Sequence, residues 1–208
     1  VFSEAIEHLC KAIELKPKLV LAYNNLGLTL AATGNGKEAM SQLNKAIALD
    51  QKYGKAQSNR CLTSHYFADQ NSQELFEYHR SFGEQFAQPA VELKQEQLHK
   101  HNGKLRVGYV SPDFCSHSVA YFFESLLKAH NSDQVETFCY YNNALVDQTT
   151  ERLMHHADHW RSIVGQSDEQ VIDLIQNDQI NILVDLAGHT NENRLTLFAH
   201  KPAPVQVT

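Results

Sequence analysis

Apolar residues recur along this chain in two different rhythms. Through about residue 68 they are spaced three and four apart, as in "VFSEAIEHLC", where charged and apolar positions alternate with the period of an amphipathic helix. Residues 69–104 are polar and helix-rich; "SQELFEYHRSFGEQFA" keeps the helical spacing, with Ser72 placed to cap it. From residue 105 onward, short apolar runs take over. "LRVGYVS" (105–111), "ETFCYYN" (136–142), "HWRSI" (159–163), "INILVDLAG" (180–188) and "PVQVT" (204–208) read as strands, and 118–130, 147–157 and 168–178 as the helices between them. Strands alternating with helices predict a doubly wound, Rossmann-like parallel sheet. Three regions follow: helical repeats at 1–68, a helical connector at 69–104 and an α/β lobe at 105–208.

The first region repeats itself. Residues 5–15 laid over 39–49, an offset of 34, match at Ala5/Ala39, Leu9/Leu43, Lys11/Lys45, Ala12/Ala46, Ile13/Ile47 and Leu15/Leu49. A period of 34 with small residues where paired helices meet is the tetratricopeptide signature. Tyr23, Leu26 and Gly27 take the aromatic, Leu and Gly places of the first helix, Ala39, Leu43 and Ala46 those of the second, and Pro17 closes the preceding repeat. "TGNG" at 33–36 supplies the turn. A third repeat starts near Gly54 and loses the pattern, with Arg60 and Cys61 where Leu and Gly would stand, as a terminal, capping repeat does. Such repeats stack into a superhelix whose concave face binds extended protein segments. Asn25 and Asn59, again 34 apart, are either amides that hold a peptide backbone or ordinary polar surface.

Composition narrows the function classes. Of 208 residues 42% are hydrophobic, enough for a buried core, and the formal charge of −6 with no Lys/Arg run argues against nucleic acid or an anionic membrane as the main partner. No run is long enough to span a membrane, and no signal peptide is evident. Cys10, Cys61, Cys115 and Cys139 lie far apart without CxxC spacing, so neither a disulfide framework nor a zinc site is expected and a cytoplasmic setting is the default. "HHADHW" places His155 and His159 four apart, a spacing that can hold zinc, but with no third ligand evident no metal is expected; Trp160 reads as core. The chain does not begin with Met and stops inside a predicted strand, so it is expected to be a fragment.

Chemistry concentrates at two strand ends. In parallel sheets of this kind, ligands bind beyond the carboxyl ends of the strands. There "SPDFCSHSVAYF" (111–122) opens the first strand into a loop with Asp113, Cys115, Ser116 and His117, and the run "NILVDLAGHT" breaks into Asp185, Gly188, His189 and Thr190. Two histidine-bearing loops can therefore converge on one cleft. Neither is a phosphate cradle, since GxGxxG and GxxxxGK[ST] are both absent.

"LRVGYVSPDFCSHSVAYF", "ILVDLAGHTNENRL" and "KPAPVQVT", in that order after tetratricopeptide repeats, resemble the nucleocytoplasmic protein O-glycosyltransferases: the protein O-GlcNAc transferases, their bacterial relatives and the SPINDLY-type O-fucosyltransferases. The resemblance covers nearly the whole chain. It implies a two-lobed glycosyltransferase-B catalytic region, of which this chain supplies the amino-terminal lobe, with most sugar-nucleotide contacts in a second lobe after Thr208. It also implies transfer of a sugar, with inversion, from a nucleotide sugar to protein Ser/Thr hydroxyls. The co-substrate is UDP-GlcNAc, with GDP-fucose as the alternative; no other cofactor is implied. The partners implied are protein substrates held in the repeat groove, in the cytoplasm, or in cytoplasm and nucleus if the source is eukaryotic. The rival reading is a non-catalytic interaction module with an inert lobe.

Carried over by position, His117 matches the family's active-site histidine, able to meet the attacking hydroxyl or the donor; otherwise it is an N-cap. Asp113 orients His117 or caps the following helix. Asp185, His189 and Thr190 line the site or shape the second loop. Cys115 has no base to activate it, so a nucleophile is not expected.

Overall fold

The helical rhythm folds as helices and the strand rhythm as a parallel sheet. The computed structural model describes residues 2–67, 71–93 and 101–208, and the chain divides into two units, Val1–Phe86 and Ala87–Thr208. Of the expected connector at 69–104, residues 69, 70 and 94–100 lie outside the described residues, as does residue 68 at the expected end of the repeats.

The first unit holds α1 (Phe2–Leu15), α2 (Val20–Ala32), α3 (Gly36–Leu49), α4 (Gly54–Ser64) and α5 (Ser72–Phe86). Its core comes from the positions the 34-residue period marks: Leu26, Ala39, Leu43 and Ala46 are buried. Gly27 is required by close approach, because a Cβ there would lie 2.7 Å from Leu43 Cγ. In α4 the equivalent place is filled by fully buried Cys61, and Gln57 stands where Tyr23 stood, its amide donating to Gln51 O at 2.7 Å. The terminal repeat thus keeps the helix and changes the packing. One expectation is corrected at α5. Ser72 is its first residue, and the cap is Asn71, whose Oδ1 accepts the Glu74 N–H at 2.8 Å.

The second unit is a five-stranded sheet of β1 (Leu105–Ser111), β2 (Val135–Tyr141), β3 (His159–Ser162), β4 (Ile182–Asp185) and β5 (Val205–Val207), in the order β3-β2-β1-β4-β5. Every pairing is parallel. The connecting helices are α6 (Ser118–Ala129), α7 (Gln148–His156), α8 (Asp168–Asn177) and the short α9 (Leu195–Ala199), which hydrophobic periodicity does not announce because five residues hold barely one repeat of the pattern. Alternate residues of β1 and β2 serve opposite faces, as a sheet covered on both sides requires. Val107, Tyr109, Cys139 and Tyr141 pack with Ala120, Phe123, Leu127 and Leu153 of α6 and α7. Val110, Phe138 and Tyr140 pack with Val171, Ile172 and Ile175 of α8 and Leu197 of α9.

The order has a reversal. The chain builds outward from β1 to β2 and β3, then returns to lay β4 on the other side of β1. The switch point lies between β1 and β4, and the two loops singled out by sequence leave from the carboxyl ends of those two strands. The fourth strand is shorter than expected, ending at Asp185 rather than 188. The Asp185 carboxylate accepts the N–H groups of Ala187 and Gly188 at 3.1 and 2.8 Å, which turns the chain out of the sheet.

Candidate active site

The loop after β1 is anchored before it presents anything. The Asp113 N–H donates to Ser111 Oγ at 3.0 Å. Phe114 is fully buried, stacked on Phe123 with ring centroids 4.7 Å apart and packed against Trp160 at 5.5 Å. Trp160 is therefore a packing residue, half-buried, as expected. Cys115 is buried behind the tip, and burial pushes its thiol up, with a Tyr141 hydrogen bond opposing and Asp147 and Asp113 reinforcing, which leaves it a poor nucleophile. His117 follows with its side chain 44% exposed.

His117 is itself the N-cap of α6, its Nδ1 accepting the Val119 N–H at 3.3 Å. Asp113 does not cap that helix, contrary to one of the two roles expected for it. Its Oδ2 lies 3.8 Å from His117 Nδ1, and burial pushes its carboxyl up while the neighbouring imidazole pulls it down. A cap that uses the Nδ1 lone pair puts the proton of a neutral imidazole on Nε2. In this arrangement the exposed ring edge is a hydrogen-bond donor. To accept a proton there, the ring must release the cap and direct Nδ1–H toward Asp113.

The second loop is turned on itself. Besides the two backbone donors, Asp185, 6% exposed, accepts the Thr208 hydroxyl at 2.8 Å. The Thr190 hydroxyl donates to Ala187 O at 2.8 Å, Gly188 has φ of 55°, and Asn193 donates its side-chain amide to Thr190 O at 2.7 Å. Of the two roles open to Asp185 and Thr190, the hydrogen bonds support shaping. His189 sits half-buried on the same loop.

Sequence reasoning missed what holds the two loops, the segment between β2 and α7. Asn143 donates to Pro112 O of the first loop at 3.0 Å, and Asp147 Oδ2 accepts the Ser116 N–H at 2.7 Å. Asn142 donates to Glu192 O of the second loop at 2.8 Å and accepts from Arg194 Nη2 at 3.0 Å. Arg194, largely buried, also donates to Gln166 O, Ile163 O and Asp168, and so ties the ends of β2 and β3 to the second loop. The local signal available was Asp147 three residues before Thr150, a capping-box spacing.

Two weaker candidates also resolve. His155 lies on α7 and His159 in β3, so they do not share a helix face; the His159 ring is 2.7 Å from Glu136 and stacks on Phe138. Asn59 donates to Asn24 Oδ1 at 2.9 Å, and Asn24 to Asn25 Oδ1 at 3.1 Å. That ladder uses one amide hydrogen of Asn59 and one lone pair of Asn25 Oδ1, and leaves the rest of both amides for a peptide.

Comparison with known proteins places this geometry. The family model described as glycosyl transferase family 41 matches residues 85–208. The chain belongs to glycosyl transferase family 41. Tetratricopeptide repeat models match residues 2–34 and 20–53. Among relatives of this family-41 chain, a Solanum lycopersicum protein named as a probable UDP-N-acetylglucosamine–peptide N-acetylglucosaminyltransferase SPINDLY is 34% identical over 171 residues, covering 78% of this chain and 18% of its own length. The similarly named SEC protein of Arabidopsis thaliana is 37% identical over 108 residues, 50% of this chain and 11% of its own. A solved mutant of Thermobaculum terrenum O-GlcNAc transferase superposes on 100% of this chain and 40% of that one, with TM-score 0.90 and 32% identity. The family-41 chain thus spans about a fifth of the length of the curated relatives it matches. Among the described residues, no helix is long and apolar enough to cross a membrane.

Proposed function

We propose that the protein carrying this chain is an inverting protein O-glycosyltransferase that moves GlcNAc from UDP-GlcNAc to Ser/Thr hydroxyls of proteins recruited by its repeats, in the cytoplasm or nucleus. The observation that carries the reading is His117. It is the exposed imidazole of an anchored loop, at the switch point of a family-41 sheet. In the reaction the acceptor oxygen bonds to the anomeric carbon as the bond to the diphosphate breaks, and the hydroxyl proton passes to an oxygen of the departing diphosphate. His117, capped as it is, holds the acceptor oxygen or the departing phosphate with Nε2–H; Asp113, beside Nδ1, is the group that permits the opposite tautomer. Asp185, His189 and Thr190 belong to the proposed site as the loop that forms its other wall, and Asn25 and Asn59 to the proposed peptide groove.

The reading is tested in the full-length protein with a protein acceptor and either UDP-GlcNAc or GDP-fucose. Transfer from UDP-GlcNAc, cut by at least roughly 10²-fold in His117→Ala with folding unaffected, is the expected result. Wild-type transfer by the variant removes His117 from the reaction, transfer from GDP-fucose alone corrects the donor, and no transfer from either leaves the interaction-module reading standing.

A further inference from the structure

Asp147 does two things at once. It is the N-cap of α7, with Oδ1 accepting both the Thr150 N–H at 2.9 Å and the Thr150 hydroxyl at 3.1 Å, while Thr150 Oγ1 accepts the Asp147 N–H at 3.2 Å. That completes the cap with one oxygen. Ser, Thr or Asn would satisfy the helix end equally well. The second oxygen is surplus to the cap, and it takes the Ser116 N–H at 2.7 Å, across 31 residues of chain. Only a side chain with two acceptor atoms can cap α7 and hold the first loop together.

The tie falls at the Ser116 N–H, between two stretches that the loop and the core fix. Phe114 is buried, the His117 N–H donates to Cys115 O at 2.6 Å, and the His117 ring is set by Val119. Between the Phe114 anchor and the first turn of α6, the Ser116 peptide takes its direction from Asp147. Asn143, four residues before Asp147, holds Pro112 O on the other limb of the loop. We propose that Asp147 is a positioning residue for His117, acting through the Ser116 peptide and touching no substrate. The inference rests on the glycosyltransferase reading.

Asp147→Ser separates the two jobs, since serine keeps the cap and is too short to reach both partners. In the full-length protein it should melt close to wild type, exchange the Ser116 amide at least roughly ten times faster, and lower transfer roughly 10- to 100-fold, mostly in kcat. In a His117→Ala background the same substitution should cost nothing further, because the residue it positions is gone. Unchanged transfer with a freed Ser116 amide overturns the inference while leaving the reading intact. An equal further loss in the His117→Ala background also overturns it, by making Asp147 a structural or independent residue. Should Asp147→Ser fail to fold, Asp147→Asn, which caps with Oδ1 and sets an NH2 group against the Ser116 N–H, is measured the same way; wild-type transfer by it also overturns the inference. Failure of the reading itself shows separately, as wild-type transfer by His117→Ala alone.

Discussion

The two loops that flank the switch point differ in where their hydrogen bonds go. The turn after β4 is made largely by the loop's own side chains: the Asp185 carboxylate takes the N–H groups of Ala187 and Gly188, and Thr190 bonds back to Ala187, while Asn142 holds the far limb at Glu192 O. The loop after β1 is held from outside, by Phe114 in the core and by Asn143 and Asp147 from another connection. A loop that uses its own side chains for its shape has few left to offer a ligand. One shaped by its neighbours can present a side chain at the surface, and here that is His117, whose Nδ1 caps α6. The difference supports the proposal that His117 carries the chemistry while the second loop forms the wall beside it, and it can be broken by experiment.

The largest effect is expected where the outside hold is hydrophobic. Phe114→Ala removes a fully buried ring that stacks on Phe123 and meets Trp160 and Tyr141, and should cost roughly 3–5 kcal/mol in denaturant unfolding. A loss below about 1 kcal/mol would mean that the ring does not anchor the loop. Asp185→Ala strips three donors of their acceptor and should cost about 2–3 kcal/mol, lowering Tm by several degrees. Asp185→Asn, which keeps one acceptor oxygen, should recover part of that stability and a parallel part of the transfer activity. If it melts like wild type and transfers nothing, Asp185 lines the site and the contrast between the loops fails.

The same contrast explains what the sequence reveals. The tetratricopeptide pattern marks Gly27, Ala39, Leu43 and Ala46 because each packs against a helix that is its neighbour in the chain. Strand and helix alternation predicts the parallel sheet and hence the address of both loops. The second loop's shape is local, with Asp185, Gly188 and Thr190 inside six residues, so its outline is readable. The first loop's shape depends on Asp147, 31 residues from Ser116, and no local pattern states that the second oxygen of a helix cap has a distant donor. The choice of caps has a related cause. Asn71 beside Ser72, and His117 beside Asp113, offer two competent acceptors within a few residues, and backbone geometry chooses between them.

The smallest effect expected is one of sign. Asp147 and Asp113, the two carboxylates tied to the first loop, are shifted in opposite directions. The N–H groups of Thr150 and Ser116 hold Asp147 below the usual carboxylate range, whereas burial pushes Asp113 up against the pull of His117. For Asp147 the unfolded chain binds more protons between the lowered and the ordinary value, so its stabilisation is full above about pH 4 and is lost as pH falls through the lowered value. For Asp113 the folded chain binds more protons between the ordinary and the raised value, so stability falls as pH rises through a window that begins near about pH 4. Melting temperatures measured from about pH 3 to 6 should therefore show Asp147→Asn losing part of the acid-side rise and Asp113→Asn losing a fall just above it. Because Asp113 does not cap α6, its variant should also melt within a degree or two of wild type at neutral pH. Two variants that flatten the profile in the same direction would show that both carboxylates serve the loop alike, and that Asp147 is not set apart by the bond it makes to Ser116.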